Sequence, residues 1–231
     1  MIDLVDQPFT CTHCNKSFMK EGTLVAHMCE PKRRALQKTE KRVQTGFLVY
    51  DRFYHLTQNS KKQKTYEEFC KSGYYNAFVK FGSFVNNVSP LYPDRFIDYV
   101  IKSGIKLDHW CRDSVYETYL YDIIKVEPTE SAIQRSLQTM MDWADVSQAQ
   151  FNHYFKYVSH NRAVNDIRNG KISPWIILNC ISGKQMVESF NDEQLLLITP
   201  AFDVPFWISK FKKSPEDVSL VREICREANI E

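Results

Sequence analysis

Long apolar runs and glycine are both scarce in this chain, and each scarcity excludes a class of protein. The longest apolar stretches, Trp175–Leu178 and Leu195–Ile198, are far shorter than the roughly 18 residues of a membrane-spanning helix. Only 7 Gly and 9 Pro occur among 231 residues, whereas 43% are hydrophobic and 25% are charged. This composition excludes a disordered or collagen-like chain and predicts a packed core without a membrane span.

The start of the chain also lacks the features of a secretory signal peptide. Residues 1–8 have neither a basic start nor an apolar stretch. We therefore expect the 7 cysteines to be reduced thiols of an intracellular protein, in the cytoplasm or the nucleus.

Catalytic motifs are missing as well. No Gly-rich phosphate loop ends in Lys-Ser or Lys-Thr, and no acidic-x-Lys element follows Asp94. His153, His160 and Asn161 invite comparison with a His-Asn-His nuclease, but their segment favours helix over the required hairpin. We assign no catalytic residue and keep a divergent nuclease as the weakest alternative.

Positive charge is concentrated in residues 31–64, which hold ten Lys or Arg against two acidic residues, a net charge of +8. Residues 65–231 hold 18 basic and 22 acidic residues, a net charge of −4. A polyanion should therefore bind near the N-terminus, if it binds at all. The alternative is a solvated basic helix or linker without a partner.

Eleven aromatic residues fall within residues 47–84, where they alternate with basic side chains. Such a segment could stack unpaired bases along a cationic track. The aromatics also recur at helical spacing, as at Phe78, Phe81 and Phe84, which is typical of core packing. We favour packing and keep base stacking as the alternative.

Helical periodicity dominates residues 65–231, and strand alternation is rare. Start and stop signals predict about eight to ten helices, mostly short. The predicted starts are Thr65, Thr129, Ser173-Pro174 and Ser214-Pro215, and the predicted ends are Gly73, Gly104, Gly170 and Gly183.

One metal site is indicated near the N-terminus. Cys11 and Cys14 are separated by two residues, so one tight turn can direct both thiolates to the same ion. Twelve residues then precede His27, a spacing that lets a hairpin fold back onto a helix with further ligands. Cys29 completes a closed set of four for Zn²⁺, with His13 as the competing donor, and a closed set indicates a structural site. Two buried cysteines and a core histidine are the less favoured interpretation.

These ligands, together with Phe9, Phe18 and Leu24 at their spacings, resemble the C2H2-type zinc finger over residues 8–29. The resemblance implies a ββα fold around Zn²⁺. It covers about a tenth of the chain, and we recognise no family in the remainder.

The chain departs from that family at the fourth ligand, because Cys29 follows His27 after a single residue and makes a variant C2HC set. Residues two apart point nearly opposite ways on a helix, so Cys29 reaches the ion only if the helix ends at about Met28. Pro31 favours such an end because it keeps Glu30 away from helical angles.

The resemblance places the base-reading residues of this finger at Lys20, Gly22, Thr23 and Ala26. Gly22 and Ala26 offer nothing to a base edge, and one finger reads only about three base pairs. We therefore expect contact with the DNA or RNA backbone without sequence preference. The predicted contact residues are Lys16, Lys20, Lys32, Arg33, Arg34, Lys38, Lys41 and Arg42.

The sequence thus predicts a mostly α-helical protein in three parts: a zinc finger in residues 1–30, a basic connector in 31–45 and an α-helical domain in 46–231. The favoured function is a non-enzymatic zinc-finger factor that holds nucleic-acid backbone while its helical domain binds a protein partner. An interaction adaptor that binds proteins and no nucleic acid is the alternative. Nothing in the sequence fixes the oligomeric state.

Overall fold

The computed structural model describes residues 9–59 and 61–230, and residues 1–8, on which the expected intracellular location depends, lie outside these ranges. Within them, a two-stranded antiparallel hairpin is followed by fifteen α-helices and three 3-10 helices, which confirms the mostly α-helical fold. The strands are β1 (Phe9–Thr10) and β2 (Ser17–Phe18), and the 3-10 helices are Gln37–Thr39, Leu107–His109 and Phe151–His153.

The helices are α1 (Glu21–Ala26), α2 (Glu30–Leu36), α3 (Lys41–Gln58), α4 (Tyr66–Lys71), α5 (Tyr75–Val88), α6 (Pro93–Lys102), α7 (Asp113–Val126), α8 (Thr129–Ser147), α9 (Tyr154–Tyr157), α10 (His160–Arg168), α11 (Pro174–Ile177), α12 (Ile181–Glu188), α13 (Asp192–Ile198), α14 (Val204–Lys213) and α15 (Pro215–Glu227). None of the helices in the described ranges is long and apolar enough to cross a membrane.

Two compact units make up the chain: an N-terminal unit, residues 1–116, and a C-terminal unit, residues 117–231. The division falls within α7. The three parts predicted above were drawn from ligand spacing and charge rather than from packing, and their bounds stay a prediction.

Side-chain caps fix the start of several helices. Thr65 forms the predicted capping box with Glu68, and Ser173 accepts a hydrogen bond from the Trp175 N–H at the start of α11. Thr129 differs, because it lies inside α8 and its hydroxyl donates to Asp217 at 3.1 Å. The prediction of a helix end at Gly183 was wrong, since this residue lies within α12.

The core of the N-terminal unit forms where α3 and α5 cross at two glycines. A Cβ on Gly82 would collide with the carbonyl of Arg42 and lie 2.6 Å from the nitrogen of Gly46. This close approach brings the aromatics of both helices together, and Phe78 and Phe81 are fully buried. The packing interpretation of the aromatic segment therefore holds for most of its members.

The C-terminal unit is built around buried Trp143, Trp175 and Trp207. Two buried carboxylates inside it are each paired with an arginine: Glu127 accepts two hydrogen bonds of 2.6 Å from Arg135. Asp166 Oδ2 accepts one of 2.7 Å from Arg162 and one of 2.9 Å from the Tyr154 hydroxyl. Burial beside Asp166 raises the pKa of Tyr154 above its ordinary range, so this phenol remains a hydrogen-bond donor.

Candidate metal centre

The hairpin directs the first two cysteines toward one point. The Cys11 N–H donates to the Lys16 carbonyl at 2.9 Å, and the Asn15 N–H donates to the Cys11 carbonyl at 2.8 Å. Asn15 takes a left-handed φ of 58°, which asparagine tolerates better than most residues, and so allows the chain to turn back into β2. Cys11 and Cys14 are thereby held at one end of the hairpin.

The other two candidate ligands, His27 and Cys29, lie in the break between two helices. α1 ends at Ala26, and His27 follows it with extended backbone angles (φ −69°, ψ 120°). Cys29 is also extended and forms the N-cap of α2. Side chains two apart in extended backbone point to the same side, which is why His27 and Cys29 face one site while Met28 between them is exposed.

This geometry corrects the expected reason for the break. The sequence predicted a helix ending at about Met28, with Pro31 keeping Glu30 out of helical angles. Instead α1 ends two residues earlier, and Glu30 and Pro31 open α2. Proline fits there because the first turn of a helix has N–H groups without intrahelical partners, so its missing donor costs nothing.

Four ligand atoms converge: those of Cys11, Cys14, His27 and Cys29 all lie within 4.8 Å of one another. The Cys11 and Cys29 sulfurs are 3.9 Å apart, and Cys14 Sγ lies 3.2 Å from His27 Nε2. Tetrahedral Zn²⁺ requires about 3.8 Å between two sulfurs and about 3.6 Å between sulfur and nitrogen. The group could therefore hold one metal ion.

The surroundings favour metal binding over a disulfide. All three cysteines are free thiols. Hydrogen bonds from backbone N–H groups, first that of His13 and then that of Cys14, hold the pKa of the Cys11 thiol below its ordinary value. At Cys14 a backbone hydrogen bond at Lys16 is outweighed by burial and the neighbouring thiols, so the pKa of Cys14 is raised instead. The Phe18 ring lies 4.8 Å from the His27 ring and restricts its orientation. His13, the competing donor, is exposed and lies outside the converging group.

Lys32 binds two backbone carbonyls at the C-terminal end of α1. Lys32 Nζ donates to the carbonyl of His27 at 3.1 Å and to that of Val25 at 3.4 Å. These carbonyls have no intrahelical partner, so a cation at this end of the helix stabilises it. The Lys32 charge, predicted to contact nucleic acid, is thus engaged within the protein.

Arg34 is also engaged internally, and its side chain is only 15% exposed. Its Nη1 donates to the carbonyls of Cys70 at 2.8 Å and Ser72 at 3.2 Å, at the end of α4. The guanidinium lies 4.5 Å from the Tyr75 ring centre, and the Arg34 carbonyl accepts a 2.6 Å hydrogen bond from Tyr66. Sequence reasoning missed this contact because its partners lie 36 and 38 residues away and are backbone atoms.

The other six predicted contact residues lie at the surface. Arg33 forms an ion pair with Glu30, and Arg42 forms one of 2.8 Å with Glu40, but more than half of each basic side chain remains exposed. The Lys38 ammonium lies 5.4 Å from the centre of the Tyr66 ring. The six exposed residues are Lys16, Lys20, Arg33, Lys38, Lys41 and Arg42.

Charge divides between the two units. Residues 1–116 contain 18 Lys or Arg and 12 Asp or Glu, a net charge of +6. Residues 117–231 contain 12 basic and 16 acidic residues, a net charge of −4. The N-terminal unit, which carries the metal-ligand group, is therefore the unit of net positive charge.

No protein-family model matches the chain, and no curated protein or solved structure matches it either. The likeness of residues 8–29 to a zinc finger therefore rests on the ligand spacing and on the converging side chains.

Proposed function

We propose that the protein is a non-enzymatic, zinc-dependent factor that holds DNA or RNA through phosphate contacts and binds a protein partner through its helical part. The proposal rests on one observation above all: a four-ligand Cys₃His group adjoins exposed Lys and Arg side chains in the unit of net positive charge.

Zn²⁺ is the metal that this donor set suits best. Thiolates are soft ligands, imidazole is a borderline one, and a Cys₃His set with tetrahedral spacing is typical of structural zinc. Four protein ligands leave no position for a water or a substrate, so the ion would stabilise the fold without catalysing a reaction. A module of about twenty residues has too small a core to fold without such an ion.

Phosphate binding is supported by the six exposed basic residues of the hairpin, α2 and the start of α3. Lys16 and Lys20 belong to the metal-binding module, and Lys41 lies in the first turn of α3, where the helix dipole adds positive potential. Because Gly22 and Ala26 cannot read bases, these cations give affinity without sequence preference.

An adaptor without nucleic-acid binding is the second candidate, and exposed apolar side chains favour it. Met19, Val25 and Met28 surround the metal ligands in sequence, and each is more than half exposed. Apolar side chains of this kind are enriched where proteins bind one another. A titration with DNA and RNA separates the two functions, because the adaptor should bind neither.

Full-length protein loaded with Zn²⁺ should be titrated with labelled DNA and RNA oligonucleotides of unrelated sequences at two salt concentrations. If about six phosphates are contacted, the affinity should fall about 10³-fold between about 50 and about 200 mM salt. Unrelated sequences should bind equally well. Absence of binding at the lower salt concentration would overturn the nucleic-acid function and support the adaptor.

A further inference from the structure

Tyr74 differs from the other aromatic residues of segment 47–84. Ten of these eleven rings are buried or partly buried, whereas Tyr74 is 62% exposed. It lies in the connection between α4 and α5, and no ring contact involving it occurs within the described residues. Its face is therefore accessible to a flat ligand, unlike the faces of its neighbours in the core.

The turn that carries Tyr74 is fixed by the backbone. The Tyr75 N–H donates to the Ser72 carbonyl at 3.2 Å, and the Tyr74 N–H donates to the Ser72 hydroxyl at 3.1 Å. A Cβ on Gly73 would meet nothing within 4 Å, so the outer side of the turn is open. A ring presented on a fixed, open turn loses little conformational entropy when a ligand stacks on it.

Cations border this turn. Lys71 is exposed and ends α4, three residues before Tyr74. Arg34 binds the carbonyls of Cys70 and Ser72 on either side of Lys71, and so brings α2 against the turn.

We propose that Tyr74, which follows the exposed Lys71 by three residues, is a stacking site for an unpaired base of single-stranded nucleic acid. A base on the tyrosine face and a phosphate on Lys71 would combine the two elements of single-strand recognition. Paired bases within a duplex do not offer a free face to such a ring, so the site selects single strands. The inference rests on the proposed function and gives it a substrate class.

The test compares four full-length, zinc-loaded proteins: wild type, Tyr74→Ala, Tyr74→Phe and the control Tyr157→Ala. Tyr157 is a matched control because it is 69% exposed and lies in the C-terminal unit. Affinities for a labelled oligouridylate, an oligothymidylate and a DNA duplex of equal length are measured at low salt. Circular dichroism spectra confirm that each variant is folded.

Tyr74→Ala should weaken binding of both single strands about 5- to 150-fold, the loss expected for one stacked base, with little effect on the duplex. Tyr74→Phe should retain binding, because phenylalanine keeps the stacking face, and Tyr157→Ala should behave as wild type. Single-strand binding that is insensitive to Tyr74→Ala, or an equal loss for the duplex, overturns the stacking site while leaving backbone binding intact. If the wild type binds none of the three probes, the proposed function fails together with the stacking site.

Discussion

At the scale of single residues, the metal-ligand group shows what spacing alone can predict. The turn that joins Cys11 and Cys14 is local, so two intervening residues suffice to predict that both sulfurs face one point. The fourth member depends on the backbone between α1 and α2, and Cys29 joins the group because His27 and Cys29 both have extended angles. The sequence predicted that Cys29 belongs to the group but assigned the helix break to the wrong residues.

Replacing the fourth ligand tests this assignment. Cys29→Ala should lower the zinc content of the purified protein well below one ion per chain, because three ligands hold Zn²⁺ less tightly than a closed set. His13→Ala, the matched control, should keep one ion, since His13 is exposed and outside the group. Metal analysis by plasma mass spectrometry measures both. The opposite pattern would make His13 the ligand.

At the scale of elements, one side chain fastens α2 to α4. Arg34 binds two carbonyls at the end of α4 and covers the Tyr75 ring, so the predicted basic connector is in part a packed helix. No sequence pattern could show this, because a basic run predicts solvent exposure and the acceptors are backbone atoms distant in the chain. Charge predicted the location of the positive region but not which cations remain exposed.

Arg34→Ala should therefore destabilise the protein, although Arg34 was predicted as a phosphate contact. Losing charged hydrogen bonds to two carbonyls should lower the free energy of unfolding by about 1.5–3 kcal/mol. Arg33→Ala, at the adjacent and largely exposed position, should change it by less than about 0.5 kcal/mol. Denaturant unfolding followed by circular dichroism compares the two variants. Equal stability of both would show that the Arg34 contact contributes nothing.

The crossing of α3 and α5 depends on glycine. Gly82→Ala should lower the free energy of unfolding by about 1–3 kcal/mol or more, because the new methyl group would meet backbone atoms of Arg42 and Gly46. Gly22→Ala is the control: it lies in α1 with no atom within 4 Å of an added Cβ, and alanine favours helix. Thermal unfolding should give a lower melting temperature for Gly82→Ala than for Gly22→Ala. A Gly82→Ala variant more stable than the wild type would contradict the close crossing of α3 and α5.

The number of helices was underestimated because some short helices depend on tertiary packing. Local start and stop signals predicted about eight to ten helices for residues 65–231, whereas the described residues of that range contain twelve, four of them only four to seven residues long. The four-residue α9 has no side-chain cap and buries Tyr154 and Phe155, and tertiary packing of this kind leaves no local signal.

At the scale of the whole molecule, the metal ligands and the excess positive charge belong to one unit. All four members of the metal-ligand group lie within residues 1–116, and the C-terminal unit has its own core of buried tryptophans. Composition predicted that such a core would form, and charge counting predicted which end of the chain would attract polyanions. The division into two units had no signal, because the boundary lies inside a continuous helix rather than in a linker.

Removing the metal should act locally. With a zinc chelator, amides of residues 9–29 should lose protection from hydrogen exchange, because this module has too small a core to persist alone. Residues 117–230 should keep their protection, since the C-terminal unit contributes no metal ligand. Exchange followed by mass spectrometry resolves both segments, and added Zn²⁺ should restore the first. Loss of protection throughout residues 117–230 would show that the metal is required for the whole fold.

The most direct test of the proposed function is a comparison of two charge reversals under identical salt conditions. Changing Lys16, Lys20, Lys38 and Lys41 to Glu should weaken nucleic-acid binding at least about 100-fold and reduce the salt slope by about 3 to 4, equally for unrelated sequences. The same change at four exposed lysines of the C-terminal unit, Lys156, Lys184, Lys212 and Lys213, should leave affinity nearly unchanged. Equal losses from both sets, or no loss from the first, would contradict phosphate binding by the N-terminal unit.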